Sequence, residues 1–444
     1  MPGEFDRPSP ASGSMVGAAV PPTKEFAGTG GGSTDVQPVP PDERVQLLDI
    51  LRGFAILGMW TVNMTVDLWW GHQYREVTLP PTDFVAIVLV DLAANGKFVT
   101  IFSCLFGIGF FLQMERARRR LASPCMLYLR RSTGLLLIAV LAMALTIPSW
   151  ILIDYALYGW ALLLLFARSP RVILAAALAC IGAAALGPAV HAYRLTVASA
   201  ERVAGLEPAT VLPEEAQRVA FETVLRDGTF LEVSTAMLQD AWLSFSDASY
   251  YVGNLDLLGL LLIGLYLGRR GAIRNPDLRL ALARKSLPWL LGVGLTGCLV
   301  WVAMEDFGLG DPTNPLHAAI REIAAWPIGM PALGLGYAAA ITLLADSDRW
   351  RPRLKPFAAV GRMALTNYLF TGLVAAFVSF RWGLGRYAEI RPIAGLAIVA
   401  AVYPLQIVAS HWWLRRFEQG PLEWLWRLLT YGRFAARRTR TADV

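Results

Sequence analysis

Two groups of polar residues stand inside long apolar stretches of this chain, where a charged side chain is costly and therefore points to function. The first group begins with Asp49 and Arg52, which are three residues apart and so share one face of a helix. A guanidinium in this position can bind phosphate or carboxylate. Arg362 is predicted at the same depth, with Asn367 about one turn deeper. Together these residues predict an anion-binding pocket near one face of the membrane.

Each of these residues also has a purely structural explanation. A salt bridge between Asp49 and Arg52 would let the arginine sit near the membrane interface without any ligand. Asn367 could form a hydrogen bond between helices, which is the commoner role for an amide in a membrane bundle. The sequence leaves both explanations open.

The second group of polar residues is predicted near the opposite face. Asp154 lies about one turn into an apolar stretch, so its charge needs a partner, and Lys97 is one candidate. Asp154 is the best candidate for proton chemistry, with a structural pair to Lys97 as the alternative. His191 ends another apolar stretch and is a second candidate base, or else an interfacial residue. The other members of this group are Asn63, Asp67, His72, Tyr155, Asn254, Asp256, Glu305 and Asp306.

Ten apolar stretches carry these residues, and each is about long enough to cross a bilayer. The fold class predicted is all-α, a polytopic integral membrane bundle of about ten helices. A further apolar segment, 82 to 94, is too short to cross and is placed at the outer surface or as a re-entrant segment. The ten spans are 46 to 68, 97 to 113, 131 to 147, 151 to 167, 171 to 193, 251 to 268, 288 to 304, 322 to 345, 357 to 379 and 393 to 414.

The distribution of Lys and Arg predicts the orientation of the bundle. Basic residues concentrate in alternate connections, such as 114 to 130 and 269 to 287, and these are expected in the cytoplasm. Both termini are then expected on the cytoplasmic side of the plasma (cytoplasmic) membrane. The net charge of +6 follows from this bias, so no nucleic-acid partner is indicated. The scattered cysteines indicate neither a disulfide framework nor a metal site.

These observations divide the chain into five predicted parts. The N-terminal tail is rich in Pro, Gly, Ser and Thr, a composition typical of disorder. The long outer connection mixes charged and apolar residues, which predicts amphipathic helices. The parts are a disordered cytoplasmic tail (1 to 44), an N-terminal five-helix half (45 to 193), the outer connection (194 to 249), a C-terminal membrane half (250 to 433) and a basic tail (434 to 444).

Four motifs carry a resemblance to a known family: LDILRGFAILGMWTVN (48 to 63), FSCLFGIGF (102 to 110), GRMALTNYL (361 to 369) and GPLEWLWRLLTYG (420 to 432). They resemble the YeiB-like membrane proteins, whose C-terminal half is domain of unknown function family 418. The first motif is shared more broadly, with transmembrane acyltransferases that include the lysosomal heparan-α-glucosaminide N-acetyltransferase and the acyltransferase-3 proteins. The resemblance implies transfer of an acyl group from cytoplasmic acyl-CoA to a sugar or similar acceptor outside.

The resemblance places Asp49, Arg52, Arg362 and Asn367 within family motifs. One departure concerns catalysis, because many members have a histidine in the third span that is a natural acyl-transfer base. Here that stretch reads LAMALTIP (141 to 148) and has no histidine. Trp150 stands where the family has aspartate, and Asp154, four residues later on the same helical face, is a candidate substitute.

The function expected first is therefore that of a membrane-bound O- or N-acyltransferase with acyl-CoA as donor and a small-molecule hydroxyl or amine acceptor. A permease or exporter of a small anionic metabolite is the second hypothesis, although the two halves show no convincing internal repeat. A non-catalytic scaffold in the bilayer, which kept the packing motifs and lost the chemistry, is the third.

Overall fold

The computed structural model describes residues 46–66, 79–120, 123–146, 150–187, 211–311 and 314–431. Helices dominate these ranges, which confirms the all-α prediction for the described part of the chain. The helices are α1 (Gln46–Thr65), α2 (Pro81–Ala93), α3 (Lys97–Arg120), α4 (Pro124–Leu145), α5 (Trp150–Leu165), α6 (Pro170–Ala184), α7 (Val211–Asp227), α8 (Phe230–Ser246), α9 (Ala248–Gly253), α10 (Leu255–Arg269), α11 (Pro276–Glu305), α12 (Pro315–Ile323), α13 (Met330–Asp346), α14 (Arg351–Arg362), α15 (Ala364–Ser379), α16 (Pro392–Arg416) and α17 (Pro421–Tyr431).

The helical segments long and apolar enough to cross a membrane number six within the described ranges. They confirm that the chain has the helices of a membrane protein, while the count of ten and the orientation stay predictions. Three shorter apolar helices, α5, α6 and α15, pack among them. The six segments are Gln46–Thr65, Pro81–Arg119, Pro124–Leu145, Pro276–Glu305, Leu316–Asp346 and Pro392–Arg416.

Helices α1 and α14 touch through their backbones near the start of α1. A Cβ on Gly53 would overlap the carbonyl group of Phe357, and a Cβ on Gly361 would overlap that of Asp49. Small residues allow such close packing, which is a main source of association between helices in membranes. The contact brings the motif at 48 to 63 against the motif at 361 to 369.

A second glycine contact joins α3 to α10. Gly107 of α3 lies against the carbonyl of Leu261, and Gly264 of α10 lies against that of Cys104. Each glycine faces the backbone of the other helix, so the two helices are in close contact over about one turn. This contact fixes the position of α3, the neighbour of both α1 and α5.

The stretch predicted as one span, 357 to 379, is divided in two at Met363. α14 ends at Arg362 and packs on α1 and α16, whereas α15 begins afresh at Ala364. The prediction of a single helix is therefore wrong. The physical reason lies in a distant segment, since the carboxylate of Glu423 accepts hydrogen bonds from the backbone N–H groups of Leu365 and Thr366 and so satisfies the start of α15.

The short helix α2 packs within the bundle against α1, α11 and α16. Asp83 in its first turn is fully buried and accepts hydrogen bonds from Arg391 Nε at 2.6 Å and from the backbone N–H of Ile393 at 3.2 Å. The carboxylate therefore caps the start of α16. Gly96, with φ of +75°, then turns the chain from α2 into α3.

The connection predicted to lie outside (194 to 249) contains the helices α7 and α8 in its described part. Thr229 and Glu232 form a capping box at the start of α8. α8 packs on α4, where Ser234 Oγ donates to the carbonyl of Ala144 at 2.6 Å.

The eighth predicted span, 322 to 345, is rich in Pro and Gly. It contains a π-helical turn, Ala324–Gly329, around Pro327.

Replacing Gly361 by Ala should destabilise the protein, because the new Cβ must displace the backbone of α1 at Asp49. Overpacking of this kind costs about 1–3 kcal/mol. Thermal unfolding of the purified protein in detergent measures the loss as a lower melting temperature. Gly182→Ala is the matched control, since a Cβ there meets nothing within 4 Å. Equal melting temperatures for the two variants would contradict the backbone contact.

Candidate functional site

Arg52 is held by Asp49 and also faces open space. Its Nη1 donates to Asp49 Oδ1 at 3.0 Å, and its side chain is 30% exposed. Its Nη2 points toward α3, where a Cβ built on Gly109 would lie 3.9 Å from that nitrogen and near no other atom. The predicted salt bridge is present, and the other side of the guanidinium still borders a gap between α1 and α3. Salt bridge and anion binding are therefore compatible here.

Arg362 lies at the same helix crossing as Arg52, because its neighbour Gly361 packs on the backbone of Asp49. Its Nη2 donates to the carbonyl of Glu418 at 3.2 Å, just before the tail helix α17. The structure thus brings both predicted arginines to one end of the bundle. Arg362 differs from Arg52 in being tied to the segment that follows α16.

Asn367 is buried among α14, α15 and α16. Its Nδ2 donates to the carbonyl of Val360 at 3.2 Å and to Ser410 Oγ at 3.0 Å. Its own backbone carbonyl accepts from Gln406 Nε2 at 3.3 Å. This geometry favours the interhelical hydrogen bond over direct contact with an anion.

The tail helix α17 is joined to the start of α15 through Glu423. Glu423 Oε2 accepts from Thr366 Oγ1 at 2.6 Å, and Oε1 accepts from the backbone N–H of Leu365 at 2.7 Å. Burial raises the pKa of the Glu423 carboxyl, while the hydrogen bonds from Thr366 and Leu365 partly oppose this shift. A Cβ on Gly420 would collide with the Glu423 carboxylate. The glycine in the Gly-Pro-Leu-Glu motif therefore leaves the space in which Glu423 caps α15.

Asp154 lies at the opposite end of the bundle and is 4% exposed. The hydroxyl of Tyr250 in α9 donates to its carboxylate, with the phenol oxygen 3.1 Å from Oδ1 and 3.0 Å from Oδ2. Asp256 of α10 is within electrostatic range of Asp154, and Tyr158 Oη donates to the carbonyl of Tyr251 at 3.4 Å. The site therefore combines two carboxyl groups with several phenols.

Lys97 does not pair with Asp154, so that prediction is wrong. Its side chain is fully buried, and its Nζ donates to the backbone carbonyl of Asp91 at 2.5 Å. The turn at Gly96 directs Lys97 back onto the last turn of α2, where a lysine stabilises free carbonyl groups. The carboxylate of Asp91 accepts from Asn95 Nδ2 at 2.8 Å. Lys97 is thus a structural residue of the α2–α3 corner.

The remaining residues of the second polar group do not gather in one site. Asn254 Nδ2 donates to the carbonyl of Tyr250 at 2.8 Å, near Asp154. Glu305 instead pairs with Arg321 at 2.5 Å. His191, Asp67 and His72 lie outside the described residues. Tyr250 was missed in the sequence, where its only signal is the tyrosine pair that precedes an apolar stretch.

Comparison with known proteins assigns the two halves of the chain. Residues 267–433 match the family model described as a protein of unknown function (DUF418). Residues 44–200 match the model described as heparan-alpha-glucosaminide N-acetyltransferase, catalytic. The chain is similar to the YeiB-like proteins, and its C-terminal part matches the DUF418 model. The resemblance stated from the sequence motifs is confirmed.

Three similar proteins match nearly the whole length of the chain. The uncharacterized protein YxaH of Bacillus subtilis (strain 168) is 29% identical over 90% of this chain and 97% of its own. The uncharacterized protein YeiB of Escherichia coli (strain K12) is 28% identical over 87% of this chain and 96% of its own. An uncharacterized 39.9 kDa protein of Bacillus acidopullulyticus is 27% identical over 90% of this chain and 97% of its own. No solved structure matches.

The DUF418 region and the acyltransferase-like region contact each other near Arg52 and Arg362, the two arginines predicted on the cytoplasmic side. Asp49, Arg52 and Asp154 belong to the region that matches the acetyltransferase model, whereas Arg362 and Glu423 belong to the DUF418 region. Within the described residues, no group of three or more His, Cys, Asp or Glu side chains is placed to hold a metal ion. The arginine pair and Asp154 are therefore the candidate chemical centres.

Replacing Glu423 by Ala should destabilise the protein, because the start of α15 and Thr366 lose their acceptor. Hydrogen bonds to a charged group contribute about 1.5–3 kcal/mol. The melting temperature in detergent should fall accordingly. Glu418→Ala is the control, since that side chain is exposed two residues before Gly420. A Glu423→Ala protein as stable as Glu418→Ala would exclude the capping role.

Proposed function

We propose that this protein transfers an acyl group from a coenzyme A thioester, bound at the Arg52 end of the bundle, to a hydroxyl or amine acceptor near Asp154. The observation that carries the proposal is the position of Arg52. It lies in the region that matches an acetyltransferase catalytic model, and its Nη2 borders the gap at Gly109. A guanidinium beside such a gap is suited to a phosphate group of the donor.

Asp49 has a positioning role in this proposal. Its carboxylate holds one edge of the Arg52 guanidinium at 3.0 Å, so the side chain loses little freedom when an anion binds at the other edge. Arg362 is anchored by the carbonyl of Glu418, which keeps a second positive charge at the same end. The basic connections predicted on the cytoplasmic side would attract an anionic donor to this end.

Asp154 is the proposed base at the other end. Tyr250 donates to both oxygens of the carboxylate, which fixes its orientation and leaves lone pairs for a further proton. In the reaction, the acceptor oxygen or nitrogen attacks the thioester carbonyl and gives its proton to Asp154. The coenzyme leaves as a thiolate and takes up a proton, and Asp154 later releases its proton to water. The net products are an acylated acceptor and free coenzyme A.

Acceptor and thioester must meet inside the bundle for this route. Between the two ends, Ser103 of α3 and Tyr155 of α5 share a hydrogen bond of 3.1 Å in the buried interior. Their hydroxyls give the path a polar lining near Asp154, which immediately precedes Tyr155. His191, the second base predicted from the sequence, remains part of the proposal as an alternative proton acceptor.

Replacing Asp154 by Asn should abolish transfer while leaving donor binding intact. The amide keeps the size of the side chain but accepts a proton poorly, and loss of a general base typically slows a reaction by about a hundredfold or more. The measurement is the release of free coenzyme A thiol from acetyl-CoA in the presence of a panel of amino sugars and polyols. The same samples are titrated with acetyl-CoA to measure binding.

Asp240→Asn is the matched control for this experiment. Asp240 is a partly buried carboxyl group of α8, away from the proposed reaction, so its replacement should leave thiol release unchanged. If folded Asp154→Asn protein releases thiol at the wild-type rate, Asp154 is not the base. If wild-type protein neither binds acetyl-CoA nor releases thiol, acyl transfer itself is excluded.

A further inference from the structure

A third arginine, Arg131 of α4, is fixed by the tail helix at the end of the bundle that holds Arg52 and Arg362. Its guanidinium carbon lies 3.8 Å from the centre of a Trp426 ring, and Trp426 Nε1 donates to the Arg131 carbonyl at 2.8 Å. Arg130 adds a third link, from its Nε to the carbonyl of Leu429 at 3.3 Å. Stacking holds the plane of the Arg131 guanidinium and leaves its edges available for hydrogen bonds.

Arg131 and Arg52 are close enough for their positive charges to repel each other. Among the described residues, the other titratable groups in range of Arg131 are Tyr128 and Tyr431, and phenols are neutral at pH 7. Asp49 pairs with Arg52, so the neighbourhood keeps an excess of positive charge. Like charges brought together inside a protein are stabilised when an anion binds between them.

A neutral hydrogen-bond donor without an acceptor lies one helical turn from the gap at Gly109. Nε2 of Gln113 is buried and has no hydrogen-bond partner within the described part of the chain. Gln113 follows Gly109, the glycine that faces Arg52 Nη2, by about one turn of α3. An unsatisfied buried donor is destabilising, and an acceptor-rich ligand would satisfy it.

We propose that Arg52 and Arg131 together form a site for a diphosphate group, with Gln113 as an additional donor and α17 as the element that positions Arg131. The proposal takes the identity of the donor, a coenzyme A thioester, from the proposed function. A diphosphate offers acceptor oxygens only, so it matches a site made of donors. Each guanidinium can bind phosphate through two parallel N–H groups.

The specific consequence is that the DUF418 tail motif contributes to ligand binding through Arg131, besides capping α15 through Glu423. Trp426 touches Arg131 and not the ligand, so Trp426 is a positioning residue. Loss of its ring should weaken diphosphate binding less than loss of the guanidinium itself.

The test is calorimetric titration of full-length protein in detergent with coenzyme A and, separately, with inorganic pyrophosphate. We expect both to bind wild-type protein, and Arg131→Gln to weaken both by at least tenfold. Arg131→Lys keeps the charge but loses the bidentate contact, so its affinity should lie between those of wild type and Arg131→Gln. Trp426→Leu should weaken both by a smaller factor. Arg416→Gln is the matched control, because Arg416 also stacks on a tryptophan, Trp412, at 4.4 Å.

The two ligands separate failure of this inference from failure of the proposed function. Coenzyme A binding that is equal in wild type and in folded Arg131→Gln would overturn the Arg131 site and leave the proposed function standing. Pyrophosphate binding that depends on Arg131, without coenzyme A binding, would support the anion site and overturn the acyl donor. Binding of neither ligand to folded wild-type protein would overturn both. Melting temperatures of all variants show whether each is folded.

Discussion

The backbone contact between α1 and α14 is the constraint on which the rest of the structure depends. Gly53 and Gly361 let the two helices approach until each glycine touches the other backbone. Asp49 and Arg52 stand on one side of this contact and Arg362 on the other. A larger side chain at either glycine would separate the acyltransferase-like half from the DUF418 half. The positive end of the bundle therefore exists because two halves with different family matches meet without side chains between them.

The two ends of the bundle differ in chemistry, and the difference suits a transfer reaction. One end gathers Arg52, Arg131 and Arg362, which favours an anionic ligand. The other end holds Asp154, whose carboxylate is oriented by hydrogen bonds from Tyr250. The tail helix α17 belongs to the first end, where its hydrogen bonds and stacking connect α4 with α15. Loss of that helix would therefore disturb helix packing and the charged site together.

Apolar stretches and isolated charges predicted much of this arrangement, because burial of apolar surface and the cost of buried charge are properties of each segment alone. α1, α3 and α4 follow from such local signals, and the same signals single out Arg52 and Asp154 as candidates. Contacts between distant segments could not be predicted in this way. The break at Met363 depends on a carboxylate in the tail, the buried Lys97 depends on a turn at Gly96, and the partners of Asn367 come from two other helices.

Arg52 is the residue proposed to bind the donor, and a titration with acetyl-CoA tests this role. Acetyl-CoA is titrated into wild-type protein, Arg52→Ala and Arg353→Ala, where Arg353 is an exposed arginine stacked on Trp350 at 5.2 Å. We predict micromolar binding by wild type and Arg353→Ala, and at least a tenfold weaker affinity for Arg52→Ala at an unchanged melting temperature. Equal affinities for wild type and folded Arg52→Ala would contradict the account.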